Sequence, residues 1–225
     1  MNNQTPDDRR CLIVGAGSFD LRRFETAERD YVIAVDGGYS HLAKLGIMPD
    51  MLLGDFDSLP DVPAHPNIIR HKPEKDDTDM MLAVKTALEL GFREFHIYGA
   101  LGGRLDHTQA NLQTLAYLAE TGAKGYLIGE GIVATALQNG RLSFQKDCAG
   151  YISVFCHSEQ SIGVYERGLK YSLTDATLFS TMPRGVSNEF LGREAFVSVR
   201  EGTLIVMWER KIHAPADSLG ILDKK

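Results

Sequence analysis

Apolar residues in the first half of the chain come in short runs that stop abruptly at glycine or aspartate. Residues 11–14 (CLIV) end in Gly15-Ala16-Gly17-Ser18, Tyr31–Val35 ends in Asp36-Gly37-Gly38, and residues 51–53 (MLL) end in Gly54-Asp55. Continuous apolar runs of this length predict strands buried on both faces, the pattern of a parallel sheet. Residues 67–70 predict a fourth, shorter strand. Between the runs the period changes to that of a helix. Residues 39–45 form one such stretch, closed by Gly46. Residues 76–90 form another, with Met80, Met81, Val84, Ala87 and Leu88 on one face and Gly91 as the stop. A strand over 94–98, a loop over 99–103, a helix over 106–120 ending at Gly122, and a strand over Lys124–Ile128 complete the series. Strand, turn, helix, strand predicts an α/β fold with a mostly parallel sheet and flanking helices. Ligands in such sheets bind at the carboxyl ends of the strands, where Asp36, Asp55, Asp57 and the loop after Tyr98 fall.

After Ile132 the helical period disappears and short alternating segments take over. Residues 134–137 and 141–144 flank Asn139-Gly140, and residues 196–200 and 203–208 flank Glu201-Gly202, so each pair predicts a hairpin. Between them lie strand-like residues 152–155 and 163–165 and the turn-rich stretch 181–188, with 217–225 as a tail. Many short strands predict an all-β sandwich or small barrel. The expected division is therefore an α/β domain over 1–131 and a β domain over 132–225.

Composition narrows the class without changing it. With 44% apolar and 24% charged residues the chain of 225 is ordinary globular material. A formal charge of −6 disfavours a general nucleic-acid or anionic-membrane binder, so an anionic substrate would have to be met by a local group. Cys11, Cys148 and Cys156 show no paired spacing, which suggests neither a disulfide framework nor a thiolate metal site. The first ten residues are polar and no run is long enough to cross a bilayer, so a soluble cytoplasmic protein is expected.

Three groups carry candidate chemistry. Asp55 and Asp57 are two residues apart, so in extended chain both side chains share a face. Two carboxylates about 4 Å apart repel by roughly 4 kcal/mol at an effective dielectric near 20, and a hard divalent cation relieves this. An isolated Asp-x-Asp is commonly a solvated turn; its weight comes from the other groups. Glu74-Lys75-Asp76-Asp77-Thr78-Asp79 precedes the 76–90 helix, where Asp76 with Asp79 three residues on approximates a capping box, or Asp79 is a further metal ligand. Gly99-Ala100-Leu101-Gly102-Gly103-Arg104-Leu105-Asp106-His107 opens the next helix, with glycines that admit phosphate to backbone amides and an arginine to pair with it. Alternatively, Asp106 and Gln109 cap a helix after a flexible loop. Gly15-Ala16-Gly17 is half a nucleotide fingerprint, since Asp20 replaces the third glycine. The only tryptophan, Trp208, sits in an apolar strand and reads as core. Together the groups describe a site for a polyphosphate and its magnesium, without the Walker A or protein-kinase signatures.

In order and spacing, Asp36-Gly37-Gly38, Gly54-Asp55-Phe56-Asp57-Ser58, Lys75-Asp76-Asp77-Thr78-Asp79 and Gly102-Gly103-Arg104-Leu105-Asp106 resemble the motif series of thiamine pyrophosphokinases. The resemblance continues through Gly168-Leu169-Lys170-Tyr171 and Ser187-Asn188. It implies an N-terminal α/β domain, a C-terminal β-sandwich, and a homodimer with active sites at the interface. The implied reaction converts ATP and thiamine to thiamine diphosphate and AMP. Carried over, Asp55, Asp57 and Asp79 become magnesium ligands, with Asp36 a ligand or substrate orienter. Lys75 and Thr78 face phosphates, Gly102, Gly103, Arg104 and Asp106 face the nucleotide, and Ser187 and Asn188 fall where the family contacts thiamine. Lys75 departs from the glutamine of animal members. Without the resemblance, another magnesium-dependent nucleotide hydrolase or transferase, or a non-catalytic nucleotide-binding module, would suit the same carboxylates.

Overall fold

The structure is a computed structural model and describes residues 7–56, 64–70, 76–210 and 219–224. These residues fall into two compact units. The first extends to Thr114 and includes Leu127–Glu130, and the second comprises Leu115–Tyr126 and the residues from Gly131 onward.

In the first unit β1 (Asp7–Val14), β2 (Tyr31–Val35), β3 (Met51–Gly54), β4 (Ile68–Arg70) and β5 (Phe92–Tyr98) form a parallel arrangement in the order β5-β1-β2-β3-β4. The apolar runs explain it: Cys11 to Val14, Ile33, Ala34, Leu52 and Leu53 are all fully buried, as strands covered on both faces require. Helix α1 (Gly38–Lys44) packs on β1 and β2, and α2 (Asp79–Glu89) packs across β1, β2, β3 and β5. The buried face of α2 is Met80, Ala83, Val84 and Ala87, spaced i, i+3, i+4, i+7. Its N-cap is Thr78, whose Oγ1 accepts from the Met81 N–H at 3.1 Å, rather than the expected Asp76. Thr78 already has extended backbone and its hydroxyl reaches the N–H of the third helical residue, two positions nearer in the chain than Asp76. Helix α3 (Leu105–Glu120) and β6 (Lys124–Ile128) follow.

The second unit pairs two antiparallel layers. One runs β12 (Gly185–Glu189), β9 (Tyr151–Cys156), β14 (Thr203–Glu209), β7 (Ile132–Gln138). The other runs β11 (Leu173–Phe179), β10 (Gln160–Arg167), β13 (Ala195–Ser198), β8 (Gly140–Phe144), β15 (Ile221–Lys224). Phe144 of β8 meets Trp208 of β14 edge to face at 5.2 Å, so the layers share a core and Trp208 lies in it, 2% exposed.

Asn139-Gly140 and Glu201-Gly202 are not hairpin turns: β7 and β14 belong to one layer and β8 and β13 to the other, so each turn carries the chain from layer to layer. The two corners bond to each other, with Gly202 N–H donating to Asn139 Oδ1 at 2.9 Å and Asn139 N–H to the Gly202 carbonyl at 3.2 Å. The expected tail holds a strand, since Ile221 to Lys224 pairs with β8 from Ser143 back to Gly140. No helix among the described residues is long and apolar enough to cross a membrane.

Candidate active site

The turns that follow β1, β2, β3 and β5 at the carboxyl edge of the parallel strands are each built around a glycine or a carboxylate. After β1, Gly15 and Gly17 lie against the turn that follows β5: Gly15 N–H donates to the Tyr98 carbonyl and Gly17 N–H to the Gly99 carbonyl, both at 2.9 Å. A Cβ on Gly15 or Gly17 would stand 2.9 or 2.6 Å from the Gly99 oxygen, and one on Gly99 would overlap Gly15. Gly99 itself has φ +64. The half fingerprint is thus a backbone interlock at the point where the connections from β1 and β5 leave in opposite directions, the place where sheets of this type bind ligands.

After β2 and β3, the carboxylates are set by the backbone. Asp36 has φ +47, and its Oδ1 accepts from Asp55 N–H at 3.1 Å and, at the limit of a hydrogen bond, from Phe56 N–H at 3.5 Å. Gly54 is required because a Cβ there would overlap that same Oδ1. Burial pushes the Asp36 carboxyl above the usual range; negative Asp79 and Asp55 push the same way, and the two N–H groups offset part of the rise. Asp36, Asp55 and Asp79 are therefore one electrostatic cluster of hard oxygen donors, a donor set suited to magnesium. Among the described residues no group of three or more ligating side chains is assembled closely enough to hold an ion. Asp57 and Lys75 lie outside the described residues.

A cleft of about 490 Å³ opens on this edge, lined among others by Asp36, Thr78, Asp79, Gly103, Arg104 and Asn111. Gly102 also lines it, whereas Asp55 and Asp106 do not. Gly102 and Gly103 have φ +79 and +65 and no atom within 4 Å of a would-be Cβ, so their backbone is open to a ligand. Arg104 forms an exposed fork with Asp106, at 2.6 and 3.2 Å, which holds the Asp106 carboxyl down at about 2. Exposed pairs of this kind contribute little stability and separate easily. Asp106 lies in the first turn of α3, where it also accepts from the His107 N–H at 3.0 Å.

Asn111 was not singled out by sequence. It is 6% exposed and donates from Nδ2 to the Ala100 carbonyl at 2.8 Å, pinning the glycine loop to α3. The available signal was a polar residue between Ala110 and Leu112 of the helix, which nothing in the local pattern marks as buried.

Ser187 and Asn188 lie on β12 in the second unit. Ser187 is exposed, with φ +59, and its N–H donates to Ser153 Oγ at 3.1 Å. Asn188 is 4% exposed and its amide is turned into the protein.

Residues 24–127 match the family model described as thiamin pyrophosphokinase, catalytic domain, and residues 141–204 the one described as thiamin pyrophosphokinase, vitamin B1 binding domain. The chain is 34% identical over 191 residues to the thiamine pyrophosphokinase of Bacillus subtilis (strain 168), covering 81% of this chain and 88% of that one. A crystal structure of thiamine pyrophosphokinase from Bacillus subtilis superposes with a TM-score of 0.81 at 28% identity, covering 91% of this chain and 100% of that one. One from Geobacillus thermodenitrificans gives 0.76 at 28% identity, covering 92% and 100%.

Proposed function

Since the chain belongs to the thiamine pyrophosphokinase family, we propose that it transfers the terminal diphosphate of ATP to the hydroxyl of thiamine, giving thiamine diphosphate and AMP. The observation that carries this reading is the cleft lined by Asp36 and Asp79 together with an open glycine loop and the first turn of α3. On this reading residues 1–131 bind ATP and residues 132–225 bind thiamine and dimerise.

The thiamine oxygen attacks the β-phosphorus, the bond from that phosphorus to the α–β bridging oxygen breaks, and AMP leaves with the bridging oxygen. Asp55, Asp57 and Asp79 would hold magnesium, with Asp36 beside them. When bound, that ion supplies positive charge to the phosphate oxygens. Asp36 is kept in one orientation by the N–H groups of Asp55 and Phe56 on Oδ1, with Oδ2 to take the hydroxyl proton. Gly102 and Gly103 offer backbone N–H groups to phosphate, Lys75 and Thr78 approach the same oxygens, and Arg104 exchanges Asp106 for the nucleotide. Ser187, with Asn188 behind it, meets thiamine. Positioning of this kind supplies much of the rate in phosphoryl transfer.

The test is the nucleotide product formed from magnesium, ATP and thiamine. AMP that appears only when thiamine is present is the expected result. ADP would indicate transfer of a single phosphoryl group, phosphate release without thiamine a hydrolase, and binding without turnover a sensor. We read the protein also as cytoplasmic and as a homodimer with active sites at the interface; the exposed Tyr151, Met182, Val186 and Leu191 on and beside β9 and β12 support the association of two chains. Light scattering is expected to give the mass of two chains, and a single-chain mass at assay concentration would refute it.

A further inference from the structure

Glu166 of β10 is 1% exposed, and only one of its oxygens has a protein partner: Oε2 accepts from Asn188 Nδ2 at 2.7 Å, while the buried Oε1 has no hydrogen bond. A buried carboxyl satisfied on one side is a poor contributor to stability, and an apolar side chain of the same size would be cheaper there. Burial indeed pushes its pKa up, with the Asn188 bond opposing.

What the carboxyl does hold is Asn188. That amide uses all four of its positions: Nδ2 donates to Glu166 Oε2 and to the Tyr171 carbonyl, both at 2.7 Å, and Oδ1 accepts from the N–H groups of Tyr171 and Glu189, both at 2.9 Å. One side chain therefore ties β10, β12 and the segment 168–171 together. The segment is held further by Lys170 N–H on the Glu189 carbonyl at 3.0 Å and by an isolated bridge from Leu169 to Phe190. Ser187, next to Asn188, sits where the register of β12 against β9 shifts, and its φ of +59 is a conformation that serine adopts only when its surroundings enforce it. Ser153 supplies one restraint and Asn188 the other.

We propose that Glu166 is a positioning residue for thiamine, acting through Asn188 to hold Ser187 and the segment 168–171 in place without touching substrate. This rests on the reading of Ser187 as a thiamine contact. The experiment measures AMP formation by the full chain with magnesium, ATP and thiamine. Glu166→Met keeps the length and removes the acceptor; the KM for thiamine is expected to rise about tenfold, the size of one lost buried hydrogen bond. The kcat and the KM for ATP should stay within about twofold. Glu166→Gln keeps an acceptor for Asn188 and should stay within about threefold for thiamine. Asn188→Ala removes the relay and should reproduce the Glu166→Met result, which keeps the proposal decidable if that variant does not fold. An unchanged thiamine KM in Glu166→Met or Asn188→Ala, or a parallel loss in kcat and both KM values, would overturn the proposal. Ser187→Ala separates the premise: if its thiamine KM is unchanged, Ser187 is no contact and the proposal falls with it. If it rises while Glu166→Met stays normal, the premise stands and the proposal alone fails.

Discussion

Asp79→Asn is expected to lower kcat/KM by two to three orders of magnitude, about 3–4 kcal/mol of transition-state stabilisation, while changing stability by less than about 1 kcal/mol. The separation of the two effects follows from where Asp79 sits. It is the first residue of α2, so the neutral variant gives up a favourable charge at a helix N-terminus. The same change relieves Asp36, whose carboxyl is pushed up by Asp79 more than by any other single charge. The two consequences for folding oppose each other, and Thr78 still caps the helix. Nothing offsets the loss to chemistry, because the variant removes one negative charge from the cluster assigned to magnesium. Chelation of magnesium should abolish the activity of the parent chain, and magnesium should raise its melting temperature more than that of the variant. Near-normal AMP formation by Asp79→Asn would remove this carboxylate from the metal site. Asp55→Asn is the natural companion, since the Asp55 N–H bond to Asp36 is made by backbone and survives the change.

The parts of this site that sequence disclosed are those in which one short stretch carries both the element and the chemistry. A run such as Val32 to Val35, buried throughout, announces a parallel strand, and Asp36 follows it directly. Gly54 and Asp55 do the same for β3. Helix α2 was legible from Met80, Val84 and Ala87, but its start was misjudged, because Asp76 and Thr78 are both good caps and only the backbone decides between them. The β half was harder for a different reason. Asn139-Gly140 has the composition of a tight hairpin, yet Asn139 at φ +44 spends its side chain on Gly202, 63 residues away, and turns a corner between layers. β11 and β12 went unread: the strand period is interrupted by Asp175 and Ser187, both at positive φ, and by register shifts in the pairing of each strand. Asn111 and Glu166 escaped because their significance lies wholly in partners distant along the chain.

Gly99→Ala should destabilise the chain by roughly 3–5 kcal/mol, and Gly46→Ala by only about 1–2 kcal/mol. Both glycines are left-handed, at φ +64 and +68, so both variants carry the same backbone penalty. They differ in what the new methyl group meets. At Gly46 nothing lies within 4 Å, whereas at Gly99 the methyl would overlap the Gly15 carbonyl and stand 2.8 Å from the Gly17 oxygen. Neither obstacle is free to move away. Gly17 is bonded to Gly99 itself and Gly15 to Tyr98, and the strands behind them, β1 and β5, are paired in parallel from Arg10 opposite Glu94 to Val14 opposite Tyr98. Parting the turns would therefore open the sheet edge on which the cleft stands, and the KM for ATP should rise in Gly99→Ala but not in Gly46→Ala. Urea unfolding of the two variants beside the parent measures the difference. Equal costs would mean that the turns after β1 and β5 can separate freely, and the interlock would then have no part in holding the carboxylates and the glycine loop on one edge.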